Sequence, residues 1–255
     1  MTNEEIIIQL IDEIKDIKNI NNKQNEIINE LKDKINELGK HKKDKDEINL
    51  VYRTEKEGIS NIFGEEFVEN NKDNIKLEIN GNISNLISQY KLKKGKNNIK
   101  IIIRDKITNL SSMFKDCNYL EDINELKYLN TQYCNDFSSM FVDCKLISNI
   151  EALKNWNVSK GNNFAGMFGG CSSLSNIEAL KNWNVSNGNS FAYMFNECKL
   201  LSDIRPLENW NVSNGQDFIG IFGGCPSLTD IKTLEKWNVS KAKLENIRDP
   251  FCLIF

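Results

Sequence analysis

The stretch Phe164-x-x-Met167-Phe168-x-x-Cys171-x-x-Leu174-x-x-Ile177-x-x-Leu180-x-x-Trp183-Asn184-Val185-Ser186 recurs through the second half of the chain at a spacing of 27 residues. Cys117, Cys144, Cys171, Cys198, Cys225 and Cys252 fall on this ruler. Trp156, Trp183, Trp210 and Trp237 keep phase with it, as do Phe137, Phe164, Phe191 and Phe218, and Ile123, Ile150, Ile177, Ile204 and Ile231. A fixed period of about 20–50 residues marks units that stack, each burying a face it cannot bury alone. Within a unit, Phe164, Met167, Phe168 and Cys171 lie at i, i+3, i+4 and i+7, one stripe of a two-turn helix. An Asn-Gly or Lys-Gly pair followed by Asn or Ser suits a turn and an N-cap before it. Gly169-Gly170 and Gly223-Gly224 suit a helix ending behind it. The second half of the unit, apolar at every third position, predicts an extended, bent segment holding a short strand. The fold class expected is therefore an α/β repeat solenoid, leucine-rich-repeat-like, over residues 107–255. Some five coils at strand spacing would span roughly 25 Å.

Two other parts precede the array. In residues 1–40, Ile7, Ile14, Ile28 and Ile35 share one heptad position with Asn21, and Leu10, Ile17, Leu31 and Leu38 share another with Gln24. These are a and d positions, and the pattern predicts an N-terminal α-helical coiled coil that self-associates through residues 4–39. Packing within the chain, or as a trimer, is the alternative. Gly39 suits the helix end, and residues 41–47 read as a charged linker. Residues 48–106 read as a small α+β capping subdomain, because a stack needs a cover for its first unit. Ile48–Arg53 and Ile75–Ile79 alternate like strands, the latter closed by Asn80-Gly81-Asn82, and Ile99–Ile103 is a further apolar run. Asn61–Val68 reads as a short helix or a loop. Lys91, Lys93, Lys94 and Lys96 surround a glycine turn and read as a solvated hairpin tip.

With 255 residues and a net charge of −3, the chain gives no reason to expect nucleic acid or an anionic membrane as partner. Its one histidine, His41, lies in a lysine-rich stretch. That leaves Cys134, which is off the ruler, as the one candidate nucleophile, with no histidine in the array to activate it. No catalytic residue, cofactor or metal site is expected. No C-x-x-C pair suggests structural zinc. Thiols repeated at about 4.8 Å on stacked coils fit reduced, buried residues better than disulfides, whose Cβ atoms converge to about 3.8 Å. The tryptophans, in phase with the core leucines, are expected as a buried or half-buried ladder rather than a sugar-stacking platform. Asn157, Asn184, Asn211 and Asn238 each open an Asn-Val-Ser acceptor pattern, but the same residues suit a repeated turn. No signal peptide is visible, which predicts a cytoplasmic chain.

The repeated MFxxCxxLxxIxxLxxWNVS unit, carried by Met113-Phe114, Met140-Phe141, Met167-Phe168, Met194-Phe195 and the variant Ile221-Phe222, resembles the BspA-like leucine-rich-repeat surface proteins. That resemblance implies surface display, adhesion and binding of a protein or matrix ligand. Two columns between the core residues vary, Glu151, Glu178, Arg205 and Lys232 in one, Lys154, Lys181, Glu208 and Glu235 in the next. Both swap sign between the middle units, so Glu178 is expected beside Arg205 and Lys181 beside Glu208. These eight residues form the candidate binding face of a non-enzymatic interaction protein. The rival readings are a cytosolic adaptor or scaffold and a structural assembly subunit. Cys252-Leu253-Ile254-Phe255 matches the prenylation pattern, so a membrane becomes a partner if Cys252 is lipidated.

Overall fold

The computed structural model describes residues 47–239. Contacts along the chain separate Met1–Asp44 from Lys45–Phe255, and the described residues all belong to the second unit. The expected coiled coil over residues 1–40, all of the linker but Glu47, and the tail that holds Cys252 lie outside the described residues.

Strict alternation makes the first strand, β1 (Glu47–Thr54): Ile48, Leu50 and Tyr52 are buried while Glu47, Asn49 and Arg53 face outward. Seven further segments complete this part: β2 (Gly58–Asn61), helix α1 (Glu65–Asn71), β3 (Ile75–Ile79), β4 (Asn82–Asn85), β5 (Gln89–Leu92), β6 (Gly95–Ile103) and β7 (Leu120–Asp122). The main sheet has the order β4-β3-β6-β1-β7 and every pairing in it is antiparallel. Asn80 and Gly81 turn β3 into β4 with φ of 54° and 78°, the left-handed pair that a two-residue hairpin requires. β2 and β5 form a separate ladder. Helix α1 packs Phe67 inward and carries Glu65 and Glu66 in its first turn, where acidic groups suit the exposed N–H groups. The Tyr52 hydroxyl donates to the Ile62 carbonyl, and burial raises its pKa well above the ordinary value.

The sheet is tied to the repeats in three ways. β7 belongs to the first repeat. The Phe63 ring lies 5.7 Å from Phe114, the first ring of the array. Gly64 donates its N–H to the Met113 carbonyl at 3.1 Å, and a Cβ on Gly64 would lie only 2.1 Å from the Ser112 carbonyl oxygen.

The α/β leucine-rich-repeat-like solenoid expected from the sequence is not what the chain forms. The regular structure among the described residues is mostly strand, with one α-helix of seven residues, α1, outside the repeats. Units begin at Asn109, Asp136, Asn163, Ser190 and Asp217, which are joined in series by single parallel bridges. Among the described residues no unit contains an α-helix, and the first alone supplies a strand.

The stripe that reads as a helix is a run of consecutive turns. Phe164, Gly166, Phe168 and Gly170 donate their N–H groups to Ser190, Ala192, Met194 and Asn196 of the next unit. Between them, Met167, Gly169 and Cys171 donate three residues back, to Phe164, Gly166 and Phe168. Two residues per unit, four apart, take positive φ: Ser139 and Asp143, Gly166 and Gly170, Tyr193 and Glu197. A left-handed residue at every fourth position is incompatible with continuous i→i−4 bonding.

Beyond the first unit, whose β7 pairs with β1 rather than with a neighbouring unit, the expected strand in the second half is also absent among the described residues. Apolar residues at every third position there follow i→i−3 bonds, Leu174 to Cys171, Leu180 to Ile177 and Trp183 to Leu180, at 2.9–3.1 Å. Short 3-10 helices result: η1 (Asn124–Tyr128), η2 (Glu151–Leu153), η3 (Glu178–Leu180), η4 (Arg205–Leu207) and η5 (Lys232–Lys236).

Side chains stack in register between units. Phe114, Phe141, Phe168, Phe195 and Phe222 form one ring column with centroids 5.4–5.6 Å apart. Phe137, Phe164, Phe191 and Phe218 form a second at 5.4–5.5 Å. Each such pair adds about 0.5–1.5 kcal/mol beyond the area it buries. Trp156, Trp183, Trp210 and Trp237 are buried, as the ladder reading expects, and each indole N–H donates to a leucine carbonyl of the preceding unit at 2.8–3.0 Å.

Candidate recognition surface

Reactive chemistry has little purchase in the array. Cys117, Cys134, Cys144, Cys171, Cys198 and Cys225 are buried and unbridged. Four of them, Cys144, Cys171, Cys198 and Cys225, donate their thiols to the carbonyls of Phe114, Phe141, Phe168 and Phe195 at 3.0–3.2 Å. Cys134 donates to Ile107 at 3.2 Å. Burial raises every one of these thiol pKa values, that of Cys225 to about 11 and that of Cys134 to about 12, so none is a thiolate at neutral pH. Among the described residues, no group of three His, Cys, Asp or Glu side chains could hold a metal ion.

The two charged columns sit on the 3-10 helices. Glu151, Glu178, Arg205 and Lys232 are the first residues of η2, η3, η4 and η5. Lys154, Lys181 and Glu208 are the caps that end η2, η3 and η4, and Glu235 lies within η5. Seven of the eight are exposed and Glu208 is half-buried. Side chains that reading in sequence does not single out hold this face in place. Asn149, Asn176, Asp203 and Asp230, two residues before each helix, accept its first N–H at 2.8–2.9 Å. Their signal is an Asn or Asp recurring every 27 residues, ahead of the column isoleucine.

The pairing differs from the one expected across units. Lys154 pairs with Glu151 at 2.9 Å and Lys181 with Glu178 at 3.0 Å, each inside its own unit. Arg205 turns to Asp203, with bonds of 2.6–3.0 Å to both carboxylate oxygens. Those bonds hold the Asp203 carboxyl below its ordinary pKa. The reason is local: Asp203 already lies at the start of η4 and reaches the guanidinium without crossing to the next unit. Glu208 pairs across units, but with Lys236 rather than Lys181. A cleft of about 240 Å³ opens beside Glu151, lined by Ser148, Asn149, Ile150, Asn176 and Ala179.

The Asn-Val-Ser turns also hold backbone. Asn157, Asn184 and Asn211 accept the N–H of Ser159, Ser186 and Ser213 at 3.1–3.2 Å. Near the sheet, Lys91, Lys93, Lys96 and Lys100 line a cleft of about 300 Å³. There Lys91 is paired with Glu57 and Lys100 with Glu47 and Glu78.

The family model described as "Mycoplasma protein of unknown function, DUF285" matches residues 81–199 and again residues 135–251. The two matches begin two repeat lengths apart and together cover more than half of the chain. The chain belongs to this family. Both charged columns, from Glu151 to Glu235, lie inside the matched stretch. No curated protein and no solved structure matches the chain.

Proposed function

We propose that this is a non-enzymatic interaction protein whose repeats recognise a protein ligand through the charged columns. The observation that carries the reading is a division of labour. Residues that recur in every unit are spent on stacking, whereas Glu151, Glu178, Arg205 and Lys232 change sign along a fixed row of exposed positions. Specificity needs side chains that differ between units, and a rigid row that keeps them pointing outward lowers the ordering cost of binding. The similarity of the repeat to the BspA-like surface proteins supports adhesion, to a protein or a matrix, as the setting. Self-association through residues 4–39 would multiply the copies and raise avidity without new contacts.

The test is a pull-down from surface-labelled cell extract with the full chain, repeated with Arg205→Glu and Glu208→Lys together. The expected result is a partner whose recovery falls roughly tenfold in the double variant, with the circular dichroism spectrum unchanged and the melting temperature well above that of the pull-down. Equal recovery of every partner by both proteins defeats the reading.

A further inference from the structure

The chain contains the pairs Asn80-Gly81, Asn187-Gly188 and Asn214-Gly215. An asparagine before glycine carries its own reagents. The glycine backbone nitrogen attacks the side-chain carbonyl carbon when the two meet, and glycine has no side chain to obstruct the approach. Whether they meet depends on what holds the pair, and the fold holds these pairs very differently.

In the repeats both reacting groups are tied down. The Asn187 and Asn214 amides donate to the Ser159 and Ser186 carbonyls of the preceding unit, each at 2.7 Å. The N–H groups that would attack, those of Gly188 and Gly215, donate to the Val185 and Val212 carbonyls at 2.8 and 2.9 Å. Both glycines are buried against the rings of Phe191 and Phe218. Either asparagine reacts only when part of the stack opens.

Asn80-Gly81 is the tip of the β3–β4 hairpin. Both residues are exposed, and a Cβ on Gly81 would meet nothing within 4 Å. Among the described residues the Gly81 N–H has no acceptor, and the Asn80 amide reaches only the Tyr90 hydroxyl, at 3.5 Å, the weak limit of a hydrogen bond. Ring closure needs rotation about the Asn80 Cα–C bond, so the left-handed turn must open first. Little resists that opening. β4 is four residues long, exposed throughout, and paired only with β3 at the edge of the sheet. Elements with so little burial open at low local cost.

We propose that Asn80 is a self-modifying site, which turns into aspartate and isoaspartate in the folded chain while Asn187 and Asn214 persist, and that isoaspartate there releases β4 from β3. The Gly81 nitrogen bonds to Asn80 Cγ and gives its proton to water, and the Cγ–Nδ2 bond breaks with release of ammonia. Water then cleaves the cyclic imide. Breaking the bond from nitrogen to Cγ gives aspartate, and breaking the bond from nitrogen to the Asn80 backbone carbonyl carbon gives isoaspartate. Aspartate suits the same two-residue turn. Isoaspartate lengthens the backbone by one carbon, so the register that pairs Ile79 with Asn82 and Lys76 with Asn85 no longer closes. Either product sets a carboxylate at the lip of the cleft lined by the lysines, where Lys91 and Lys100 are already paired but Lys93 and Lys96 make no ion pair among the described residues.

The full chain, incubated folded at neutral pH beside a sample kept in urea, tests the proposal. Peptides taken at intervals are read by electron-transfer mass spectrometry, which tells aspartate from isoaspartate. In the folded chain Asn80 should convert at least roughly tenfold faster than Asn187 or Asn214, whereas in urea all of these asparagines should convert at similar rates. Hydrogen exchange in Asn82–Asn85 should quicken as isoaspartate accumulates, with the repeats unchanged. Three outcomes overturn the proposal: Asn80 intact in the folded chain while the urea sample converts, Asn187 or Asn214 keeping pace with Asn80 in the folded chain, or exchange in β4 unaltered once isoaspartate has formed.

Discussion

A Cβ on Gly188 would lie 2.4 Å from Cζ of Phe191 and 3.0 Å from the Val185 carbonyl oxygen. Gly161 and Gly215 meet the equivalent rings at 2.4 and 2.3 Å, so a Cβ at any of these three glycines requires the ring to shift. Gly188→Ala should cost about 1–3 kcal/mol, read as a lower urea midpoint with an unchanged m-value. Cys134 falls in the same column one unit earlier, so the cysteine that looks stray in the sequence has a place in the stack. The thiols make a second prediction. Their folded pKa values are raised above the ordinary 9.0, so their stabilising contribution is complete below that pH and is lost as pH rises through the folded values, about 11 for Cys225 and about 12 for Cys134. Stability should fall above about pH 9, by up to roughly 1.4 kcal/mol per pH unit for each thiol. Thermal melts from pH 7 to 11 check this, and a flat profile would contradict it. At pH 7 iodoacetamide should leave all six described thiols unmodified until the chain is unfolded.

Among elements, the tryptophan ladder ties each 3-10 helix to the unit before it. Trp183→Phe keeps a ring but loses the N–H bond to Leu153, whose carbonyl still accepts from the Trp156 backbone at 3.0 Å. The expected loss is about 1–2 kcal/mol, measured by chemical denaturation, with Trp183→Ala costing more. This is also the scale at which the sequence is hardest to read. β1, β3 and β6 are legible because five or more residues alternate or run apolar. β2, β4 and β5 are four residues each, and Asn82–Asn85 is exposed throughout, so only pairing makes them strands. In the repeats the period and the core are legible but the local structure is not. An i, i+3, i+4, i+7 stripe fits a helix and a run of turns equally well. What separates them is Gly166 and Gly170, four apart where left-handed backbone is needed, and their counterparts Ser139 and Asp143 hide that need. The exposed charged columns could be placed from spacing alone. Their partners could not, because Asp203 competes for Arg205 from two residues away, a distance that column alignment does not weigh.

For the whole molecule, the mass in solution tests self-association: the full chain should run as a multimer and the chain without residues 1–40 as a monomer. An unchanged monomer mass in both excludes self-association through residues 4–39. The register of the stack has a further outcome. Within the columns each ring meets its counterpart one unit away, the thiols and indoles reach a carbonyl of the preceding unit, and the sheet's Phe63 meets the ring of the first unit. Cutting out residues 163–189 in frame would bring Phe141 against Phe195 and Asp136 against Ser190, partners of the kinds already found. The shortened chain should fold, with a lower melting temperature and the same spectrum, because stability in such an array adds up unit by unit. A gene that gains or loses 27 codons by slippage would thus still encode a folded protein, of different reach and with a different row of surface charges.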